Sequence, residues 1–125
     1  MGGQIKRMQQ MIKPNNIDLK ILKIINSSKE PITIYSITKI LYPELKEGRN
    51  ISQKSTPIRQ RIKKLLKEDL IFGIQNKLKN TYVINESVFK FTKKASLMAR
   101  GRKYVLAEVC MIKDNGDWNF YQITY

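Results

Sequence analysis

The sequence predicts an α+β fold: a three-helix core, a β-hairpin, and a C-terminal extension of one further helix and a second hairpin. Two patterns lead to this class. Apolar residues recur at helical spacing in several stretches, and short β-branched or aromatic runs flank turn-forming residues in others. A third observation concerns charge, since 24 Lys and Arg against 10 Asp and Glu give a formal net charge of +14.

Length and composition indicate how these elements are organised. With 125 residues and 42% hydrophobic content, the chain has enough apolar material for one core. We divide it into a basic N-terminal arm or helix over residues 1–14, a domain over residues 15–85, and an extension over residues 86–125 that is a candidate dimerisation element.

The first two helices are predicted from apolar spacing and from breaking residues. Asn16 is the predicted N-cap of a helix over residues 17–27, whose isoleucines form one stripe. A short extended piece at residues 32–33 leads into a second helix over residues 34–41, which must end by Pro43.

The third predicted helix, over residues 56–68, is the most informative segment. Thr56 is its predicted N-cap, and Pro57 suits the first helical position, where no N–H is needed. An apolar stripe runs along one side, formed by Ile58, Ile62, Leu65 and Leu66. The opposite side carries polar and cationic residues, with Arg59 and Arg61 at its flanks: Thr56, Gln60, Lys63, Lys64 and Lys67. A helix of this kind fits the major groove of DNA.

Two hairpins are predicted beyond this helix. Residues 71–75 and 81–84 are strand-like and enclose a basic turn at residues 76–80. Farther along, Asn115-Gly116 is a strong hairpin signal, followed by an aromatic strand in residues 118–125.

The segment between the two hairpins contains one predicted helix and one stretch that fits either a helix or a strand. Helical spacing from Val88 to Met98 predicts a helix over residues 88–98. Residues 103–112 suit a helix or a buried strand, and we favour the strand.

The order of elements over residues 16–84 resembles the winged helix-turn-helix family of small transcriptional regulators. The likeness lies in residues 32–37 (ITIYSI), in residues 55–66 (STPIRQRIKKLL), and in Leu70-Ile71 at the start of the hairpin. The resemblance implies that one helix enters the major groove and that the hairpin, or wing, contacts backbone or minor groove. One departure is the link over residues 42–54, about a dozen residues against the 3–4 typical of the motif. Either part of this link folds as an extra turn, or it adds DNA contacts.

Carried over by position, the resemblance implies a set of DNA-binding residues. Those implied for the helix and the segment before it are Arg49, Lys54, Ser55, Thr56, Arg59, Gln60, Lys63 and Lys64. Those implied for the wing are Asn76, Lys77, Lys79 and Asn80. We therefore expect a sequence-specific double-stranded DNA-binding protein, a transcriptional regulator, that pairs as a homodimer through its aromatic C-terminal hairpin. Its effector, if any, is unknown from sequence.

Catalysis, cofactors and membrane association find little support. The chain has no His, and it lacks a phosphate-binding loop and a dinucleotide-binding glycine pattern, so we expect no enzyme and no cofactor. The lone Cys110 reads as a buried thiol rather than a metal ligand. A metal-dependent nuclease built from Glu108, Asp114 and Asp117 is a remote possibility. No stretch is apolar enough to span a bilayer and no signal peptide is evident, so we expect a cytoplasmic protein.

Two alternatives from other functional classes remain open. The aromatic residues of the C-terminal hairpin can stack on unpaired bases, which would indicate non-specific DNA or RNA binding or a role in replication. The wing and extension can also contact other proteins, which would indicate an assembly module.

Overall fold

A computed structural model describes residues 13–45, 49–97 and 104–125, so the predicted arm over residues 1–14 lies almost entirely outside the described part. The described residues form an α+β structure with three helices and two antiparallel three-stranded sheets, which confirms the predicted class at this level. The helices are α1 (Asn16–Ser27), α2 (Ile34–Leu41) and α3 (Arg49–Lys67). The strands are β1 (Ile32–Thr33), β2 (Ile71–Asn76), β3 (Lys79–Ile84), β4 (Phe89–Leu97), β5 (Tyr104–Asp114) and β6 (Asp117–Gln122).

Side-chain caps begin the first two helices. Asn15 caps α1, one residue before the predicted Asn16, because its side chain accepts a hydrogen bond from the Asp18 N–H at 2.8 Å. The Asp18 carboxylate accepts one in return from the Asn15 N–H at 3.1 Å, which completes a capping box. In α2, the Thr33 hydroxyl accepts a hydrogen bond from the Ser36 N–H at 3.2 Å.

The third helix is longer than predicted. It begins at Arg49, so Thr56 is not its N-cap and Pro57 lies inside it. Residues 49–54 of the link over residues 42–54 are therefore helical, in agreement with the alternative that part of the link folds as an extra turn. The Thr56 hydroxyl donates to the Ser52 carbonyl at 3.4 Å, one turn earlier, as an interior residue does. Threonine and proline have the composition of a helix start, but here the burial of Ile51 extends the apolar stripe upstream of them.

The first sheet has the strand order β1-β3-β2 and contains the predicted hairpin. Ile71 pairs with Ile84 at its base, and Asn76 pairs with Lys79 at its end, so Lys77 and Leu78 form a two-residue turn. The hairpin is anchored through Ile71 and Tyr82, which are buried in the core beside the helices.

The second sheet has the order β4-β5-β6, and it corrects one prediction. The predicted helix over residues 88–98 is wrong, because β4 pairs along its whole length with β5. Phe89 and Phe91 lie opposite Ile112 and Cys110 in that pairing, so the segment alternates between the faces of a sheet. The strand favoured for residues 103–112 is confirmed as β5, and Asn115-Gly116 forms the predicted turn.

Both sheets share one hydrophobic core with the helices. Its buried members include Leu22 and Ile37 from α1 and α2, and Phe89, Cys110 and Ile112 from the second sheet. The extension over residues 86–125 therefore packs against the helices. Within the described ranges, no helix combines the length and the apolar character needed to cross a membrane.

Candidate nucleic-acid interface

The third helix separates an apolar side from a polar one, as its sequence predicts. Ile58, Ile62 and Leu65 are each at most 2% exposed and face the core. The opposite side, which we call the outer face of α3, consists of the exposed residues Thr56, Arg59, Gln60, Lys63 and Lys67. Arg59 and Gln60 each lie three or four positions from Thr56 and from Lys63, and Lys67 lies four positions beyond Lys63, so these residues form one stripe that is open to solvent.

The residues flanking this stripe differ in their environments. Lys54 is exposed and lies over the Tyr42 ring, with its ammonium nitrogen 5.3 Å from the ring centroid. Lys64 is half-buried at the edge of the outer face. The side chain of Arg49, another predicted site residue, lies outside the described part of the structure.

Ser55, one of the residues that the resemblance implied for DNA binding, is buried and faces the core instead. It is 6% exposed, and its hydroxyl donates to the Ile51 carbonyl at 2.6 Å. The same oxygen lies 3.2 Å from the hydroxyl of Thr38 in α2. The position was predictable, because Ser55 lies three residues before Ile58 and seven before Ile62, on the apolar stripe.

Arg61 has a structural role, because it is paired with a carboxylate inside the fold. Its guanidinium forms a two-pronged ion pair with the fully buried Asp18 carboxylate, at 2.6 Å from Nε and 2.5 Å from Nη2. This hydrogen bonding raises the pKa of Arg61. The pair links α3 to the first turn of α1. The sequence placed both residues correctly on their helices, but it contained no sign that they meet.

The end of the β2–β3 hairpin forms a second polar surface, which we call the basic tip. All four predicted residues there are exposed, namely Asn76, Lys77, Lys79 and Asn80. Lys77 has a φ of +57°, a left-handed conformation that lysine rarely adopts. Leu78, which the sequence analysis did not single out, is 97% exposed between the two lysines.

A cleft of about 430 Å³ connects the outer face of α3 to the basic tip. Arg59 of α3 lines one side of this cleft, and Lys79 and Asn80 of β3 line another. The first turn of α2 lines the remainder, through residues that the sequence analysis missed: Thr33, Tyr35 and Ser36. The fold thus brings together two predicted groups of residues that are about 20 positions apart in the chain.

The electrostatic character of these surfaces is uniform. Neither residues 49–67 nor residues 76–80 contain an Asp or Glu, whereas together they contain nine Lys and Arg. Arg61 is neutralised by Asp18, but the remaining cations give these surfaces a positive charge that attracts anions. The first turn of α2, which lines the cleft, favours an anion as well.

The residues weighed for a nuclease are not gathered into one site. Glu108 and Asp114 both lie in β5, about 20 Å apart at the usual strand rise. Glu108 is bound by the Lys23 ammonium, at 2.7 and 2.8 Å, and by the Tyr125 hydroxyl. In the parts of the chain that the structure describes, no three Cys, Asp or Glu residues are grouped as metal ligands.

Cys110 is buried as predicted, and its thiol lies 3.8 Å from the Leu19 carbonyl. Burial and the nearby Glu108 carboxylate raise the pKa of Cys110 to about 12. At neutral pH the sulfur is therefore protonated, and it serves in packing α1 against β5.

Comparison of the chain with models of protein families, with curated proteins and with solved structures gave no match.

Proposed function

We propose that this protein binds double-stranded DNA sequence-specifically, through a winged helix-turn-helix domain, as a cytoplasmic regulator of transcription. The observation that supports this most is the cleft in which Arg59 of α3 meets Lys79 and Asn80 of the hairpin. A groove-reading helix and a backbone-binding wing must lie side by side to engage one duplex. The cleft provides this arrangement.

In this proposal the outer face of α3 lies in the major groove. Arg59 and Gln60 read bases, since Arg binds guanine and Gln binds adenine through two hydrogen bonds each. Thr56 is positioned for contact with a thymine methyl group, and Lys63 for a base edge or a phosphate. All four side chains are exposed on one stripe.

The basic tip and the cleft then hold the DNA backbone. Lys77 and Lys79 neutralise phosphates, and Asn76 and Asn80 donate hydrogen bonds to the backbone or to the minor groove. A phosphate beside Arg59 in the cleft also lies near the first turn of α2, where the positive end of the helix dipole favours an anion.

The proposal includes a homodimer formed through the second sheet. Phe120 pairs with Met111 and lies two residues from Trp118, so these three residues share one face of the sheet, and Phe120 is 66% exposed there. Pairing through such a surface places two reading helices on successive half-sites. Analytical ultracentrifugation at micromolar concentration tests this part separately, and a monomer under these conditions would contradict it.

Selection of bound sequences from a random duplex pool, followed by affinity measurements, tests the main proposal. We expect Gln60→Ala to weaken binding to the selected duplex by about 1–3 kcal/mol and to change binding to random duplex little. Asn26→Ala removes an exposed side-chain amide from α1, away from the outer face of α3 and from the second sheet, and serves as the matched control.

Two results would contradict the proposal. Equal losses on selected and random duplex for Gln60→Ala would contradict base reading by α3. Tighter binding to single-stranded oligonucleotides than to any duplex would favour recognition of unpaired bases instead.

A further inference from the structure

A second concave surface lies between α1 and α2, at the other end of α2 from the DNA cleft. We call it the α1–α2 groove, and its volume is about 400 Å³, within the range of small-molecule sites. Its lining is mostly apolar and includes Ile24, Ile40 and Leu41. Ile40 is 55% exposed. The floor of the groove therefore presents apolar surface to solvent.

A polar cluster borders the groove on one side. Lys20, Lys23 and Tyr125 belong to its lining. The two ammonium nitrogens lie 5.2 and 5.3 Å from the centroid of the Tyr125 ring. Hydrogen bonds from Lys23 and Tyr125 to Glu108 hold this ring in place, and the Lys23 ammonium also donates to the Tyr125 hydroxyl at 2.8 Å.

The charges of this cluster are unbalanced. Glu108 is shared by Lys23 and by Lys93, whose ammonium group lies 3.8 Å from it. No other carboxylate among the described residues forms an ion pair with the cluster, and Lys20 contributes a further positive charge. Two cations near one aromatic ring, with one carboxylate between three lysines, leave a surplus of positive charge at the edge of an apolar groove.

We propose that the α1–α2 groove binds a small amphipathic monoanion, an aliphatic or aryl carboxylic acid. The carboxylate lies beside Lys20 and Lys23 at the groove edge, and the apolar body lies against Ile24, Ile40 and Leu41. Such a ligand satisfies both features of the site, since it adds the missing negative charge and covers the exposed apolar floor. The inference does not depend on DNA binding.

Titration of the full-length protein with octanoate, followed by two-dimensional amide NMR, tests this proposal. We expect saturable 1:1 binding, with the largest shifts at residues of the groove. Octanamide, which keeps the chain and lacks the charge, should bind at least fivefold more weakly. So should octyltrimethylammonium, which carries the opposite charge.

Three variants locate the site. Lys20→Gln and Ile40→Gln, at exposed or half-exposed positions, should each raise the octanoate dissociation constant at least fivefold while preserving the amide spectrum elsewhere. Lys113→Gln removes the same charge from the second sheet and should leave octanoate binding unchanged.

Several outcomes would overturn the proposal: shifts that do not saturate, shifts centred outside the groove, or equal weakening by Lys20→Gln and Lys113→Gln. Groove shifts that follow protein concentration without octanoate would assign the surface to a second copy of the chain instead. Each of these results can occur whether or not the protein binds DNA, so failure here is distinguishable from failure of the proposed function.

Discussion

The β2–β3 hairpin and the β5–β6 hairpin each reverse through a two-residue turn, yet they carry opposite charge at that end. Lys77 and Lys79 lie at the end of the first, whereas Asp114 and Asp117 pair at the end of the second. A duplex attracts the first and repels the second. The two hairpins therefore share the same backbone unit, and the charge at the turn makes the first suited to contact with a duplex and the second unsuited to it.

The two hairpins also differ in their attachment to the helices. Ile71 and Tyr82 fix the first through the apolar core. The sheet that contains the second adds polar links to α1, from Glu108 to Lys23 and from the Thr124 N–H to the Asn16 side chain at 2.8 Å. Helix α1 thus supports both regions. Four predictions test how far this comparison holds.

The largest expected effect concerns the support that the two regions share. Arg61→Ala leaves the buried Asp18 carboxylate without its partner, which should lower the free energy of unfolding by about 3 kcal/mol. Urea denaturation followed by circular dichroism and by fluorescence of the single tryptophan, Trp118, should show one coincident transition shifted in both signals.

Arg59→Ala is the control for this variant, because Arg59 is exposed on the same helix and its loss should change stability by less than about 0.5 kcal/mol. Separate transitions by the two probes would show that the second sheet, which contains Trp118, unfolds independently of the helices, and would contradict a support shared by both regions.

The second prediction concerns charge at the basic tip. Lys77→Ala combined with Lys79→Ala should weaken duplex binding on the order of 50-fold at 0.1 M salt, since each phosphate contact adds about 0.9 to the salt slope. Fluorescence anisotropy over a range of salt concentrations should show that slope reduced by about 1.8. Lys29→Ala, in the exposed segment before β1, should change neither quantity, and an equal loss for this control would mean that only net charge determines duplex affinity.

The third prediction separates turn stability from DNA binding. Gly116 has a φ of +84°, so Gly116→Ala should lower the free energy of unfolding by about 1 kcal/mol and leave duplex affinity unchanged. Lys77→Gly removes the strain of a lysine with positive φ, so it should raise the free energy of unfolding by about 0.5 kcal/mol. The same change removes one phosphate contact and should weaken duplex binding. Thermal denaturation and anisotropy measure the two properties, and parallel changes in both would contradict the separation.

The smallest effect concerns the polar attachment of the second sheet. Burial alone would raise the pKa of Glu108, but hydrogen bonds from Lys23 and Tyr125 lower it below the ordinary value of 4.5. Its ionised form therefore stabilises the fold above that pH, and this contribution disappears as pH falls through the lowered pKa.

Glu108→Gln should accordingly cost about 0.5 kcal/mol near neutral pH, and the difference from the unmodified chain should vanish in acid. Unfolding by urea at several pH values checks this expectation. Glu86→Gln, in an exposed turn, is the matched control and should show no such trend; a constant difference for Glu108→Gln would contradict an ionic attachment.

Local patterns were sufficient for several elements and for part of the site. Apolar spacing predicted α1 and α2 and the burial of Ile58, Ile62 and Leu65, because one face of a helix repeats within a few residues. The same spacing predicted the exposure of Thr56 and Gln60. Turn-forming residues at 115–116 predicted the second hairpin, since Asn-Gly tolerates positive φ at both positions.

The choice between helix and strand in β4 depended on a partner distant in sequence. Residues 88–98 carry apolar groups that satisfy both a helical and an alternating period, and pairing with β5 decided in favour of the strand. Local reading also failed at the start of α3, where the buried Ile51 and Ser55 continue the helix past Thr56 and Pro57.

The sequence by itself determined where charge and apolar surface occur along each segment, because those properties repeat with the backbone. Only the tertiary structure decided which charges are free to act. Arg59 and Arg61 are two residues apart on one helix, yet the first lines the cleft and the second is paired with Asp18. That difference arises from the packing of α1 and the hairpin around α3, which brings together groups that are far apart in the chain.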